Sequence, residues 1–144
     1  MDELRGKYLD EISEGMTAVF SKTVTEADIV LYAGISGDTN PLHLNEEFAK
    51  STMFKGRIAH GMLTAGFVSA VFGTKLPGPG CIYLSQSMKF KAPVRIGDTV
   101  VARVTVGAID QNKGRVTFAT TCHVGDQVVL DGEAQLLVPR RPQA

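Results

Sequence analysis

No field of one sign runs through this sequence. Its fifteen basic and fifteen acidic side chains cancel, which removes the electrostatic footprint that nucleic acid or an anionic membrane surface would call for. No run of eighteen or more apolar residues occurs, so no membrane span is expected. Cysteine is scarce: Cys81 and Cys122 stand alone, without metal-type spacing. The first residues, MDELRGKYLDEI, carry too much charge for a secretory signal, and a reduced cytoplasmic protein is expected. Internal repeats and low-complexity segments are missing, as are a nucleotide-binding glycine loop, HxH, HExxH or CxxC spacings, and a GxSxG elbow after a strand. No cofactor is implied. A small or neutral ligand fits this composition better than a nucleic acid or a membrane.

What is present is enough apolar material for a real core: 144 residues with 44% hydrophobic side chains suit one domain, taken as 1–144. Met16 to Thr25 reads as a strand of imperfect alternation. Thr25 with Asp28 three residues on resembles a capping box, and Ile29, Val30, Tyr32, Ala33 and Ile35 recur at helical spacing until Gly37. Asn45 is expected to cap a short helix through Glu46, Glu47, Phe48 and Ala49. From Gly61 to about Leu76 apolar residues cover nearly the whole circumference of a helix, which must then be buried; at ~1.5 Å per residue it spans about 24 Å. Pro77-Gly78-Pro79-Gly80 ends it.

The remainder reads as four strands, Ile82–Lys91, Thr99–Ile109, Arg115–Val124 and Gln127–Val138, with hairpin signals at Asp110–Gly114 and Gly125-Asp126. In the first of these, Tyr83, Ser85, Ser87, Lys89 and Lys91 are expected on one face and Leu84, Met88 and Phe90 on the other. One buried helix followed by long antiparallel strands gives an α+β domain whose curved sheet wraps the helix.

The most informative stretch is Gly37-Asp38-Thr39-Asn40-Pro41-Leu42-His43. Proline lacks an N–H and pushes Asn40 out of the α region, so this backbone is expected to be an irregular, non-helical loop projecting Asp38 and His43 together. An acid, an amide and an imidazole so close in sequence point to proton transfer. A metal site has too few ligands: His60 is a third donor in principle, but it directly precedes the core helix, where capping or a backbone bond is expected instead. Gly61 and Met62 begin that helix with unpaired N–H groups, suited to a developing oxyanion. Ser69 is expected to be a buried hydroxyl in need of a partner, and Phe72, one turn on, to floor a pocket that Ser69 lines.

The run from Tyr32 through Asp38, Asn40, Pro41 and His43, followed by Ala49, resembles the hydratase-2 motif of the MaoC-like hydratase family. It is most similar to the branch of bacterial (R)-specific enoyl-CoA hydratases that supply polyhydroxyalkanoate synthesis. The resemblance runs from about residue 15 to residue 139 and includes His60-Gly61-Met62-Leu63, Ile82-Tyr83-Leu84, Phe90, Pro93 and Gly97-Asp98.

That resemblance implies a hot-dog fold, a homodimer with the acyl-CoA site at the subunit interface, and hydration of an enoyl thioester. Asp38 and His43 match the family's catalytic pair, Gly61 the glycine whose N–H receives the thioester oxygen, Ser69 a serine of the same site, and Asn40 the motif's asparagine. Coenzyme A phosphates would find candidates in Lys55, Arg57, Lys89, Lys91 and Arg95. A bulky Phe72 floor would favour short enoyl groups. A hot-dog thioesterase, a non-catalytic acyl-CoA-binding module and a MaoC-like hydratase or dehydratase for branched or dicarboxylic substrates stay open as alternatives.

Overall fold

A computed structural model describes residues 1–143. Strand β1 (Thr17–Thr23) leads to helix α1 (Glu26–Ser36), the single-turn helix α2 (Pro41–Leu44), the short α3 (Glu46–Lys50), helix α4 (Gly61–Thr74), and strands β2 (Ile82–Phe90), β3 (Thr99–Asp110), β4 (Arg115–Val124) and β5 (Gln127–Leu137). The strands form one antiparallel sheet in the order β1-β3-β4-β5-β2. Its concave face presents Val100, Ala102, Val104 and Val106 from β3, Val116, Phe118 and Cys122 from β4, and Leu130, Ala134 and Leu136 from β5, all buried. Phe67, Val68, Val71 and Phe72 of α4 meet this face. This is the α+β, hot-dog arrangement of a helix wrapped by a curved sheet. Leu9 and Ile12 join the same core from before residue 15.

The capping box expected at Thr25 is formed: its hydroxyl accepts from Asp28 N–H, and the Asp28 carboxylate accepts from Thr25 N–H. Asn45 caps α3 through Phe48 N–H. Helix α4 stops at Thr74 rather than Leu76.

Three expectations need correction. The stretch around Pro41 is not wholly irregular, because Pro41 begins a helical turn that contains His43. Proline at the first helical position lacks an N–H that would have had no partner anyway, and Asn40, with φ −49° and ψ 126°, takes the extended conformation that a residue before proline favours. Second, α4 is not buried all round: Met62, Gly66, Ser69 and Gly73 form an exposed stripe. Third, a β-bulge at Leu84 shifts the register of β2 against β5, so Tyr83 shares the inward face with Gln86, Met88 and Phe90 instead of lying with Ser85 and Ser87. Tyr83 accordingly packs edge-on against Phe72, with ring centroids 5.1 Å apart.

Candidate active site

The loop after α1 is built from short polar side chains that bond backbone. Gly37 ends α1 in the left-handed region at φ 80°. Ser36 Oγ accepts from Asp38 N–H at 3.1 Å, Asp38 Oδ1 accepts from Asn40 N–H at 3.2 Å, and Asn40 Oδ1 accepts from Leu42 N–H at 3.0 Å. Each bond satisfies a donor that no helix or strand would, which fixes a turn without regular structure. Asn40 therefore organises the loop as the N-cap of α2.

A second segment, Arg57 to His60, holds that loop from outside. Arg57 Nε donates to the His43 carbonyl at 2.6 Å, while its guanidinium pairs with Glu26 at 2.8 Å. His43 Nδ1 lies 2.8 Å from the Ile58 carbonyl. A carbonyl only accepts, so Nδ1 carries the hydrogen and His43 Nε2 keeps its lone pair. His60 Nε2 donates to the Asp38 carbonyl at 2.9 Å. His60 then leads into α4, so the segment that fixes both loop residues continues directly into the N–H groups of Gly61 and Met62. Neither of those N–H groups finds an acceptor among the described residues.

These elements surround a cavity of about 450 Å³ lined by Asp38, His43, His60, Gly61, Met62 and Phe90, among others. A carboxylate, an imidazole with a free acceptor nitrogen and the positive end of a 14-residue helix thus share one space with mostly apolar walls. Asp38 is exposed and His43 buried. Gly61 is where Phe90 closes in: a Cβ built there would lie 2.7 Å from the Phe90 ring, so a side chain at 61 would compete with that wall.

Not every candidate converges on this cavity. Ser69 is exposed rather than a buried hydroxyl, and it lines a second, apolar cavity of about 290 Å³ with Met62, Gly66, Tyr83 and Leu84. Helical rotation decides this, because Ser69 falls on the exposed stripe of α4, beside the edge strand β2, and not on the face packed in the core. Phe72 lines neither cavity: it lies 1% exposed in the core, edge-on to Phe118 with centroids 4.9 Å apart. Its position gives no pocket floor, and the short-chain preference drawn from it loses its footing. Of the five basic candidates, Arg57 is committed to Glu26 and His43, and Arg95 donates to the Phe54 carbonyl. Lys91 lines the larger cavity.

His60 is the residue whose part the spacing did not reveal. It bonds backbone, as expected of its position, but the carbonyl is that of Asp38, twenty-two residues away. Its ring stacks on His43, centroids 3.9 Å apart and planes 28° apart, and meets the tilted Tyr32 ring at 4.7 Å. The three donors Asp38, His43 and His60 come within 4.8 Å of one another, a closer grouping than the sequence spacing gave reason to expect. Near-parallel rings nevertheless suit an ion badly, since in-plane lone pairs from two stacked imidazoles do not meet at a point about 2 Å from each nitrogen.

The MaoC-like domain model matches residues 9–128. The chain is 59% identical over 140 residues to an (R)-specific enoyl-CoA hydratase of Rhodospirillum rubrum, covering 97% of both chains. It is 49% identical over 144 residues to a 3-hydroxybutyryl-CoA dehydratase of Methylorubrum extorquens, covering 100% of this chain and 92% of that one. Among solved structures, the (R)-hydratase from A. caviae involved in polyhydroxyalkanoate biosynthesis superimposes with a TM-score of 0.85 at 41% identity, over 89% of this chain and 98% of the other. The chain belongs to the MaoC-like domain family.

Proposed function

We propose that this protein catalyses the reversible addition of water to a trans-2-enoyl-CoA, giving an (R)-3-hydroxyacyl-CoA. The observation that carries this reading is one cavity shared by the Asp38 carboxylate, His43 and the N-terminal N–H groups of α4. Hydration of a conjugated thioester needs those parts. The oxygen of a water adds to Cβ as its proton passes to one member of the Asp38–His43 pair, Cα receives a proton, and the negative charge that develops on the thioester oxygen is held by the Gly61 N–H. His43 Nε2, left bare by the bond from Nδ1 to Ile58, and the Asp38 carboxylate both offer acceptors to that water. One of them takes the proton from the water and the other returns one to Cα.

The substrate class rests on the relatives' named activities, one an enoyl-CoA hydratase and one a dehydratase that runs the same reaction in reverse. In this reading residues 1–144 act as one domain in the cytoplasm, and the product feeds polyhydroxyalkanoate synthesis. Among the described residues no helix is long and apolar enough to cross a membrane. The protein works as a homodimer, a second copy covering the apolar ground left open by Met62, Ile82 and Leu84, which are 51%, 55% and 43% exposed. Ile82 and Leu84 lie on the edge strand β2. Ser69 and Met62 line the smaller cavity beside that ground and would meet the substrate or its acyl chain there.

The test is to follow the loss of enoyl absorbance with crotonyl-CoA and to determine the configuration of the product. Loss of absorbance with the (R)-alcohol formed is expected. Release of free coenzyme A would make the protein a thioesterase, and binding without turnover would make it an acyl-CoA-binding module.

A further inference from the structure

The hydratase reading uses Asp38, His43 and Gly61, and leaves a buried imidazole beside them without a task. His60 is 2% exposed and is clamped on three sides: by Tyr32 of α1, by the His43 ring of α2, and by the Asp38 carbonyl. Its Nδ1 is buried without a hydrogen-bond partner among the described residues. Because Nε2 faces a carbonyl, Nε2 carries the hydrogen and Nδ1 is the bare nitrogen. Asp38 presents its backbone oxygen to His60 Nε2 and brings its carboxylate within 4.8 Å of a His60 ring nitrogen, while Arg57 is directed at the His43 carbonyl and Glu26.

We propose that His60 is a positioning residue for the hydration reaction, a clamp that holds Asp38 by its carbonyl and backs His43 with its ring. The inference rests on the hydratase reading of the same cavity. A single rigid ring touches both members of the proton-transfer pair, and the next residue supplies the oxyanion N–H. The relative placement of all three groups is therefore fixed through His60.

The test compares His60→Phe and His60→Gln with the wild-type protein, measuring kcat and KM for crotonyl-CoA together with the thermal transition. Phenylalanine keeps the ring between Tyr32 and His43 but removes the N–H; glutamine keeps an N–H for the Asp38 carbonyl but removes the ring. H60F is expected to lose kcat on the order of 10²-fold, the cost of misplacing a catalytic group by about 1 Å, with KM changed by less than about twofold. H60Q is expected to recover part of that loss. H60F within about twofold of wild type, or a rise in KM with kcat intact, overturns the proposal.

Should either variant not fold, nitrogen-15 spectra of the wild-type protein decide the matter. The neutral His60 ring is expected to carry its hydrogen on Nε2, in the bond to the Asp38 carbonyl, and a ring with its hydrogen on Nδ1 and a bare Nε2 overturns the proposal. A wild-type protein inactive on crotonyl-CoA would instead overturn the hydratase reading, and is recognised before any variant is made.

Discussion

The Nδ1 of His43 lies 2.8 Å from the carbonyl oxygen of Ile58. That contact connects the turn α2 to the segment before α4 and decides which nitrogen of His43 faces the cavity. The tautomer is thereby set by a backbone oxygen rather than by a second carboxylate. In nitrogen-15 spectra of the ligand-free protein at neutral pH, His43 should show a protonated Nδ1 and a bare Nε2. The opposite tautomer would remove the acceptor that the mechanism assigns to a water.

Gly61→Ala tests the approach to the oxyanion donor. The new methyl meets the Phe90 ring, which is 54% exposed and free to swing outward, so the fold should survive with stability changed by about 1 kcal/mol or less. Activity should fall on the order of 10²-fold, the scale of a compromised oxyanion donor. Wild-type kcat/KM in G61A would remove Gly61 from the mechanism.

Arg57 and Glu26 form one ion pair with unequal partners. Arg57 is 15% exposed at its side chain and also serves the His43 carbonyl, whereas Glu26 is 57% exposed. Arg57→Ala should cost about 1–3 kcal/mol in denaturant unfolding, because it strips a donor from a part-buried carbonyl. Glu26→Gln should cost less than about 1 kcal/mol, as exposed pairs do. Equal losses in the two variants would show that the bond to His43 contributes nothing.

Alkaline stability should report two acids raised by desolvation, the buried Cys122 thiol and the partly exposed Tyr83 hydroxyl. Desolvation pushes the Cys122 thiol from 9.0 up to about 12 and the Tyr83 hydroxyl from 10.0 up to about 12, the latter with a smaller contribution from Cys122. Both folded values are raised, so the stability they support is complete below the unfolded values and is lost as pH rises toward 12. Between pH 9 and 10 the thiols contribute, Cys122 with a slope approaching 1.4 kcal/mol per pH unit and Cys81, which burial also pushes up from 9.0, beside it. Cys122→Ala should flatten the unfolding free energy across that interval. An unchanged slope would mean that the thiol ionises in the folded state.

Much of the fold can be read from local pattern. Through most of β3 and β4 burial alternates because one face packs in the core and the other does not, and the Thr25–Asp28 box marks the start of α1 without any tertiary information. The loop bearing Asp38, Asn40 and His43 is also legible, since its chemistry is crowded into six residues. What escaped depends on contacts between distant segments or on a single inserted residue. Pro41 reads as a helix breaker unless its place at the first helical position is recognised. The bulge at Leu84 reverses the facing of Tyr83 and leaves no mark in the alternation. Phe72 and Ser69 lie three residues apart on α4, yet helical rotation sends one into the core and the other to an open stripe. The stack of His60 on His43 joins residues seventeen positions apart, and only the fold brings them together.

The most direct test of the central claim is the crotonyl-CoA hydration rate of Asp38→Asn and His43→Gln beside the wild-type protein. Both substitutions keep size and hydrogen-bonding shape while removing the acid–base function, so both variants should fold and each should lose about 10²- to 10⁴-fold in turnover. Near-normal rates in both would contradict the assignment of Asp38 and His43 as the water-activating pair.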